Sequence, residues 1–274
     1  EALVRWQHPT RGLLTPDQFI PLFERNSKIT LLDEYVWERC CEYMRRWLDL
    51  IPQAKDLELS ISANVSRLDI RNEKLCEMLC SLTKKYGLSP SMLRLEITES
   101  AYMEDQQQLI RAVEVLHRAG FTVEMDDFGS GYSSLNTLKD VYVDTLKLDM
   151  NFLTECMDSA RGGNILSSVI RMAHWLKLPI IAEGVETKYF ADYLKTLGCI
   201  YMQGYYFARP MPVEDFEKLL SQSDVSRTDK YKDTNVEGMA EFWNPSAQMA
   251  LLFNSYVGGA AIMEYRDGVL EITR

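Results

Sequence analysis

Nine residues of this chain combine the types and spacing that phosphate or carbonyl chemistry needs: Glu1, Asn64, Glu96, Asp126, Asp127, Lys147, Asp149, Glu183 and Gln203. All but two of them end a short apolar run; Glu1 opens one and Asp127 follows one. Taken alone, each has a bland reading. A glutamate at the end of a strand is usually solvated or caps a helix, an Asp-Asp-Phe-Gly stretch serves well as a turn, and a lone lysine such as Lys147 can sit in a buried ion pair. Gathered on one rim, however, six acids repel one another unless cations neutralise them. Asn64 adds a neutral oxygen, and no His or Cys falls at a strand end. An all-oxygen donor set favours Mg²⁺ or Mn²⁺ over zinc.

The elements that must position these groups alternate. Apolar runs LELSISANV, MLRLEIT, FTVEMD, DTLKLD, PIIAE and CIYMQG read as strands, with amphipathic helical segments at 71–86, 105–119, 161–176 and 187–197. EALVRW reads as a seventh strand. Thr15-Pro16-Asp17-Gln18 predicts an N-cap, a first-turn proline and a capping-box glutamine for a helix reaching about Asn26, followed by a second helix over 31–49. Gly120 and Gly198 fall where helices should close. Strand–helix alternation of this length implies a parallel sheet. Polar residues at nearly every strand end favour a barrel of the (β/α)₈ type, which collects them on its C-terminal rim, over an open sheet, which uses only its switch point.

Composition bounds the rest. The net charge of −10 argues against a general grip on DNA or RNA polymers, which requires a basic surface. It leaves room for a small phosphate ligand where divalent ions invert the local field. Six cysteines form no CxxC pair, which reads as reduced thiols in a cytoplasmic protein; an anchor elsewhere in a longer protein is compatible with this. Residues 1–222 form the predicted barrel domain. Residues 223–235 read as a linker, and 236–274 as the opening of a further α+β domain, PAS-like in character, with a hairpin around Asp267-Gly268.

EALVRW (1–6), ANVS (63–66), LEITES (95–100), MDDFGSGYSSL (125–135), LKLD (146–149), AEGVET (182–187) and QGYYFARP (203–210) resemble, in order and interval, the signatures of EAL-domain phosphodiesterases specific for cyclic di-GMP. The resemblance covers residues 1 to about 220. It implies a TIM-like barrel standing one strand short at the start. Glu1, Asn64, Glu96 and Asp126 would be ligands of a first metal, with Asp126 bridging and Asp127 serving a second. It further implies that Lys147 orients the attacking water, that Glu183 is a general base or positions that water, and that Gln203 supports them. Arg5, on the same face as Glu1 and Leu3 in an extended strand, would reach a substrate phosphate. Glu99 would anchor the loop after Asp127, and Asp149 and Glu186 complete the site. The expected reaction is metal-dependent hydrolysis of cyclic di-GMP to linear pGpG by a homodimer, with cyclase or sensor domains as neighbours. The rivals are a binding module without turnover and an unrelated barrel enzyme such as an enolase-like lyase. Ser130 where threonine is common, LKLD for KID and ARP for a lysine-containing variant depart from the family pattern without removing a ligand.

Overall fold

In a computed structural model, the chain divides into two units, Glu1–Ser223 and Asp224–Arg274. The structure describes residues 1–50, 59–129, 134–157, 159–222, 263–266 and 269–272. The second unit contributes strands β9 (Met263–Arg266) and β10 (Val269–Ile272), paired antiparallel with Arg266 opposite Val269. That is the expected hairpin; its turn, Asp267 and Gly268, and the predicted linker at 223–235 lie outside the described residues.

The first unit begins with a small antiparallel hairpin, β1 (Trp6–His8) and β2 (Gly12–Leu14), then α1 (Pro16–Arg25) and the long α2 (Ile29–Leu50). The start of α1 is the expected one: Gln18 Oε1 accepts from the Thr15 backbone N–H at 3.2 Å, and Pro16 occupies the first turn, where no N–H is needed. Trp6 packs edge-on against Phe19 and Phe23, tying the hairpin to the inner face of α1.

Six parallel strands follow in sequential order: β3 (Ile61–Asn64), β4 (Leu93–Thr98), β5 (Thr122–Phe128), β6 (Thr145–Leu148), β7 (Ile180–Ala182) and β8 (Tyr201–Met202). Between them run α3 (Arg67–Ile70), α4 (Leu75–Lys85), α5 (Glu99–Glu104), α6 (Gln106–Arg118), α7 (Ser134–Asp140), α8 (Met150–Met157), α9 (Ala160–Trp175) and α10 (Lys188–Thr196), with α11 (Val213–Gln222) after the last strand. Six of the seven predicted strands and the main helices are present. The short α3, α5, α7 and α8 were not expected, being too brief to leave a periodic pattern. Helices α6 and α10 close where Gly120 and Gly198 donate to His117 and Lys195 carbonyls at 2.9 and 3.0 Å.

The two faces of the strands differ sharply. Leu93, Leu95 and Ile97 of β4, Val123 and Met125 of β5, and Leu146 and Leu148 of β6 are buried in the main hydrophobic core with α6, α9 and their neighbours. The alternating residues Arg94 and Glu96, Glu124 and Asp126, and Thr145 and Lys147 take the opposite face. The sheet must curl. Ala2 donates its N–H to Ser62 beside β3 at one edge, yet the Glu1 side chain is hydrogen-bonded to Gln203, which follows β8 at the other. The fold is a curled parallel half-barrel with outer helices, of the TIM-like type.

One expectation fails. EALVRW is not a seventh strand of this sheet: residues 1–5 form no strand, and the strand that begins at Trp6 pairs with β2 instead. Only Trp6 of the segment enters the hairpin, and a single backbone bond from Ala2 to Ser62 does not make a ladder. Among the described residues no helix is long and apolar enough to cross a membrane, and none of the six cysteines is in a disulfide.

Candidate active site

The inward face of the sheet ends in a charged layer with Lys147 at its centre. From β6, its ammonium lies 2.7 Å from Glu96 Oε1 of β4 and 2.8 Å from Glu183 Oε1 just beyond β7. Asp126 Oδ1 of β5 is at 3.3 Å and Glu1 Oε2 at 3.6 Å. Lys147 and Glu96 are 1% and 0% exposed, so neither is served by water. Burial works against the lysine's charge, but the four surrounding carboxylates, led by Glu96, overcome it and hold the ammonium far above the ordinary lysine range.

One ammonium does not balance four carboxylates. Burial first, then Glu1 and Asp126, push Glu96 up to about 7 against the pull of Lys147. Burial, with Asp126 and Glu1 beside it, likewise lifts Glu183 to about 7. Asp127 rises to about 6, from burial and the adjacent Asp126 and Asp149. Glu96 Oε2 is buried with no hydrogen-bond partner. An orphaned carboxylate oxygen in an all-oxygen set carrying excess negative charge suits a hard divalent cation. Among the described residues, no three His, Cys, Asp or Glu side chains are already grouped as an ion cage; the acids converge on Lys147 instead.

Backbone geometry sets the acids of β5. The ladder to β6 shifts register between Met125 and Phe128, and Asp127 sits at φ +56°, left-handed for a non-glycine residue. The irregularity turns Asp127 away from strict alternation, which brings it beside Asp126 at one rim. Gly129 follows at φ +100°, where a Cβ would stand 2.5 Å from the Phe152 ring, so only glycine fits. Its N–H donates to Glu99 Oε2 at 3.3 Å, and Glu99 is buried. The rest of the glycine-rich segment, 130–133, lies outside the described residues.

The other expected residues are placed more loosely. Gln203 Nε2 donates to Glu1 Oε2 at 2.5 Å, fixing that carboxylate across the curl. Asn64 is exposed, and its backbone carbonyl accepts from the buried Trp37 indole at 3.0 Å. Trp37 escaped sequence reasoning, since it reads as an apolar residue of α2; the only signal is that a buried indole N–H needs an acceptor. Asp149 caps α8, with Oδ1 accepting from the Asn151 and Phe152 N–H groups. Arg5 gives one guanidinium N–H to the Val4 carbonyl at 2.8 Å, Leu3 is 42% exposed and Glu186 is exposed. With residues 1–5 outside any strand, the shared strand face proposed for Glu1, Leu3 and Arg5 does not form.

Known proteins resemble this chain in sequence and fold. The chain is 38% identical over 214 residues to MucR of Pseudomonas aeruginosa, named a bifunctional diguanylate cyclase/cyclic di-GMP phosphodiesterase; the match covers 78% of this chain and 31% of that protein. It is also 38% identical over 220 residues to NbdA of the same species, named a cyclic di-GMP phosphodiesterase, covering 80% and 28%. The chain thus spans less than a third of either relative. A solved structure described as the PaMucR phosphodiesterase in complex with c-di-GMP superposes with a TM-score of 0.72 at 38% identity, over 78% of this chain and 85% of that one. Residues 1–210 match the model of the EAL domain, and the chain belongs to the EAL domain family.

Proposed function

We propose that this domain hydrolyses one 3′–5′ phosphodiester of cyclic di-GMP to give linear pGpG, with two divalent cations, Mg²⁺ or Mn²⁺, and water as the nucleophile. The observation that carries this reading is the excess of carboxylate around Lys147 on the C-terminal rim, with a buried Glu96 oxygen left over. The names of the relatives supply the substrate.

In this reading Glu1, Asn64, Glu96 and Asp126 hold one cation, and Asp126 with Asp127 the other. When bound, the cations act as Lewis acids toward the phosphate and lower the pKa of the attacking water. Lys147 does the work that needs no cation. Its fixed ammonium orients Glu96, Asp126 and Glu183 and offsets charge that builds on the phosphoryl oxygens as attack proceeds. Glu183, with a pKa near 7, is poised to take the proton from water in neutral solution. The new bond joins the water oxygen to phosphorus, the bond to the ribose 3′ oxygen breaks, and that oxygen leaves with a proton. Gln203 keeps Glu1 turned inward. Homodimer formation and adjoining cyclase or sensor domains belong to the same reading, in line with the bifunctional name of one relative.

Asp126→Ala and Glu183→Ala test the assignment in a hydrolysis assay with Mn²⁺. Each should lower the rate by roughly a hundredfold or more, the scale of losing a group that acts on the transition state. Variants that release pGpG at the parent rate would sink the site.

A further inference from the structure

The chain leaves β5 at Gly129 and is helical again from Ser134, the start of α7. Both flanks of that passage are held by the stretch that follows β4. On the near side Glu99, at the start of α5, accepts from Gly129. On the far side the Tyr102 hydroxyl, also from α5, donates to Asp140 Oδ2 at 2.7 Å at the end of α7. Gln106 of α6 donates to the same oxygen at 2.8 Å and also to the Tyr102 oxygen. Lys139 faces the other Asp140 oxygen at 3.6 Å.

Tyr102 is 7% exposed. Burial, then the Asp140 contact, pushes its hydroxyl up to about 12, and the same hydrogen bond pulls Asp140 below the usual carboxylate range. Around neutral pH this is a phenol donating to an ionised carboxylate, a short and strong kind of bond. Asp127 belongs to β5 itself, two residues before the Gly129 anchor, in a conformation that a non-glycine residue keeps only where its surroundings fix it.

We propose that the Tyr102–Asp140 hydrogen bond is a positioning clamp: by holding α7 against α5 it fixes the backbone bearing Asp127 and so sets the affinity of the rim for a divalent cation. This rests on the reading of Asp127 as a cation ligand. Tyr102 and Asp140 touch neither substrate nor cation; they act through Asp127.

The test titrates Mn²⁺ into the parent protein, Tyr102→Phe, Asp140→Ala and Asp140→Asn without substrate. Free Mn²⁺ is read by its paramagnetic resonance, and thermal midpoints are measured alongside. Tyr102→Phe and Asp140→Ala should each weaken Mn²⁺ binding roughly five- to tenfold, the lower end of couplings between linked sites. Asp140→Asn, which keeps an acceptor oxygen for Tyr102, should stay near the parent. The double variant Tyr102→Phe/Asp140→Ala should bind no more weakly than Asp140→Ala, since both lose one contact. Variants that melt earlier yet bind Mn²⁺ like the parent reduce the pair to scaffolding and overturn the clamp, as does a parent that takes up no Mn²⁺. Hydrolysis in the same samples keeps the two readings apart. A parent that binds Mn²⁺ but leaves cyclic di-GMP intact sinks hydrolysis alone. A hydrolysing parent whose Tyr102→Phe variant retains full Mn²⁺ affinity sinks the clamp alone.

Discussion

Two groups of carboxylates in this domain, one on the rim and one on the flank, are stabilised by different means. On the rim, Glu96, Asp126, Glu183 and Glu1 surround the Lys147 ammonium. On the flank, Asp33 of α2 faces Asp69 of α3, where Asp69 is held by the Ser66 hydroxyl and backbone N–H. Burial, followed by the facing Asp69, pushes Asp33 up to about 9, so the flank keeps a proton at neutral pH. Glu96 and Glu183 on the rim stay nearer 7, because Lys147 offsets part of what burial costs them. Both bring together acids that stand far apart in the sequence; only the rim is poised to exchange protons for cations. The difference lies in one lysine and in the curl of the sheet.

Breaking the rim should have the largest effect. Lys147→Met leaves its carboxylates facing one another without a counter-charge. Removing one partner from a buried ion pair typically costs about 3–5 kcal/mol. Chemical denaturation should show a loss of that order, partly recovered in Mn²⁺, with hydrolysis abolished.

Next in size is the parent's response to cations. A ligand that binds only the folded state at a hundred times its dissociation constant stabilises by about 2.7 kcal/mol. Thermal scans with and without Mn²⁺ should show a rise of that order, reversed by EDTA. The rise should persist in Asp33→Asn and vanish in Glu96→Gln/Asp126→Asn. Equal rises in both variants would erase the distinction between the two regions.

The smallest effect belongs to the flank, and its sign is opposite. Asp33 has a folded pKa above its ordinary 3.8, so between about 4 and 9 the native state holds a proton that the unfolded chain has lost. Its stabilising contribution is full below the unfolded value and declines as pH rises toward the folded one. Asp33→Asn removes that dependence. The variant should gain on the parent as pH climbs from 7 to 8, by on the order of 1.4 kcal/mol, one pH unit of linkage. Denaturation curves at the two pH values check it, and an unchanged difference would refute the shared-proton account.

Much of this was legible in the sequence where chemistry and periodicity coincide. The polar residues that close the strands (Asn64, Glu96, Asp126, Lys147, Glu183 and Gln203) could be read as one rim because strand alternation and parallel order place them there. The Thr15–Gln18 cap and the two closing glycines were equally local. EALVRW was misread because an apolar run reads as a strand from its composition, whereas pairing starts only at Trp6, whose partners in Gly12–Leu14 no local pattern marks. Lys147 as the hub of four acids, Trp37 bonded to the Asn64 carbonyl and Asp33 opposite Asp69 all join residues far apart in the chain, and no local pattern marks such contacts. The left-handed Asp127 was hidden for a similar reason: the bulge that imposes it arises from pairing with β6.

The most direct measurement follows cyclic di-GMP incubated with the purified domain at saturating Mn²⁺, with products separated by chromatography. The account predicts that pGpG accumulates as the cyclic nucleotide disappears, and that EDTA stops the reaction. Cyclic di-GMP that is bound by the Mn²⁺-loaded protein yet remains undiminished would contradict it.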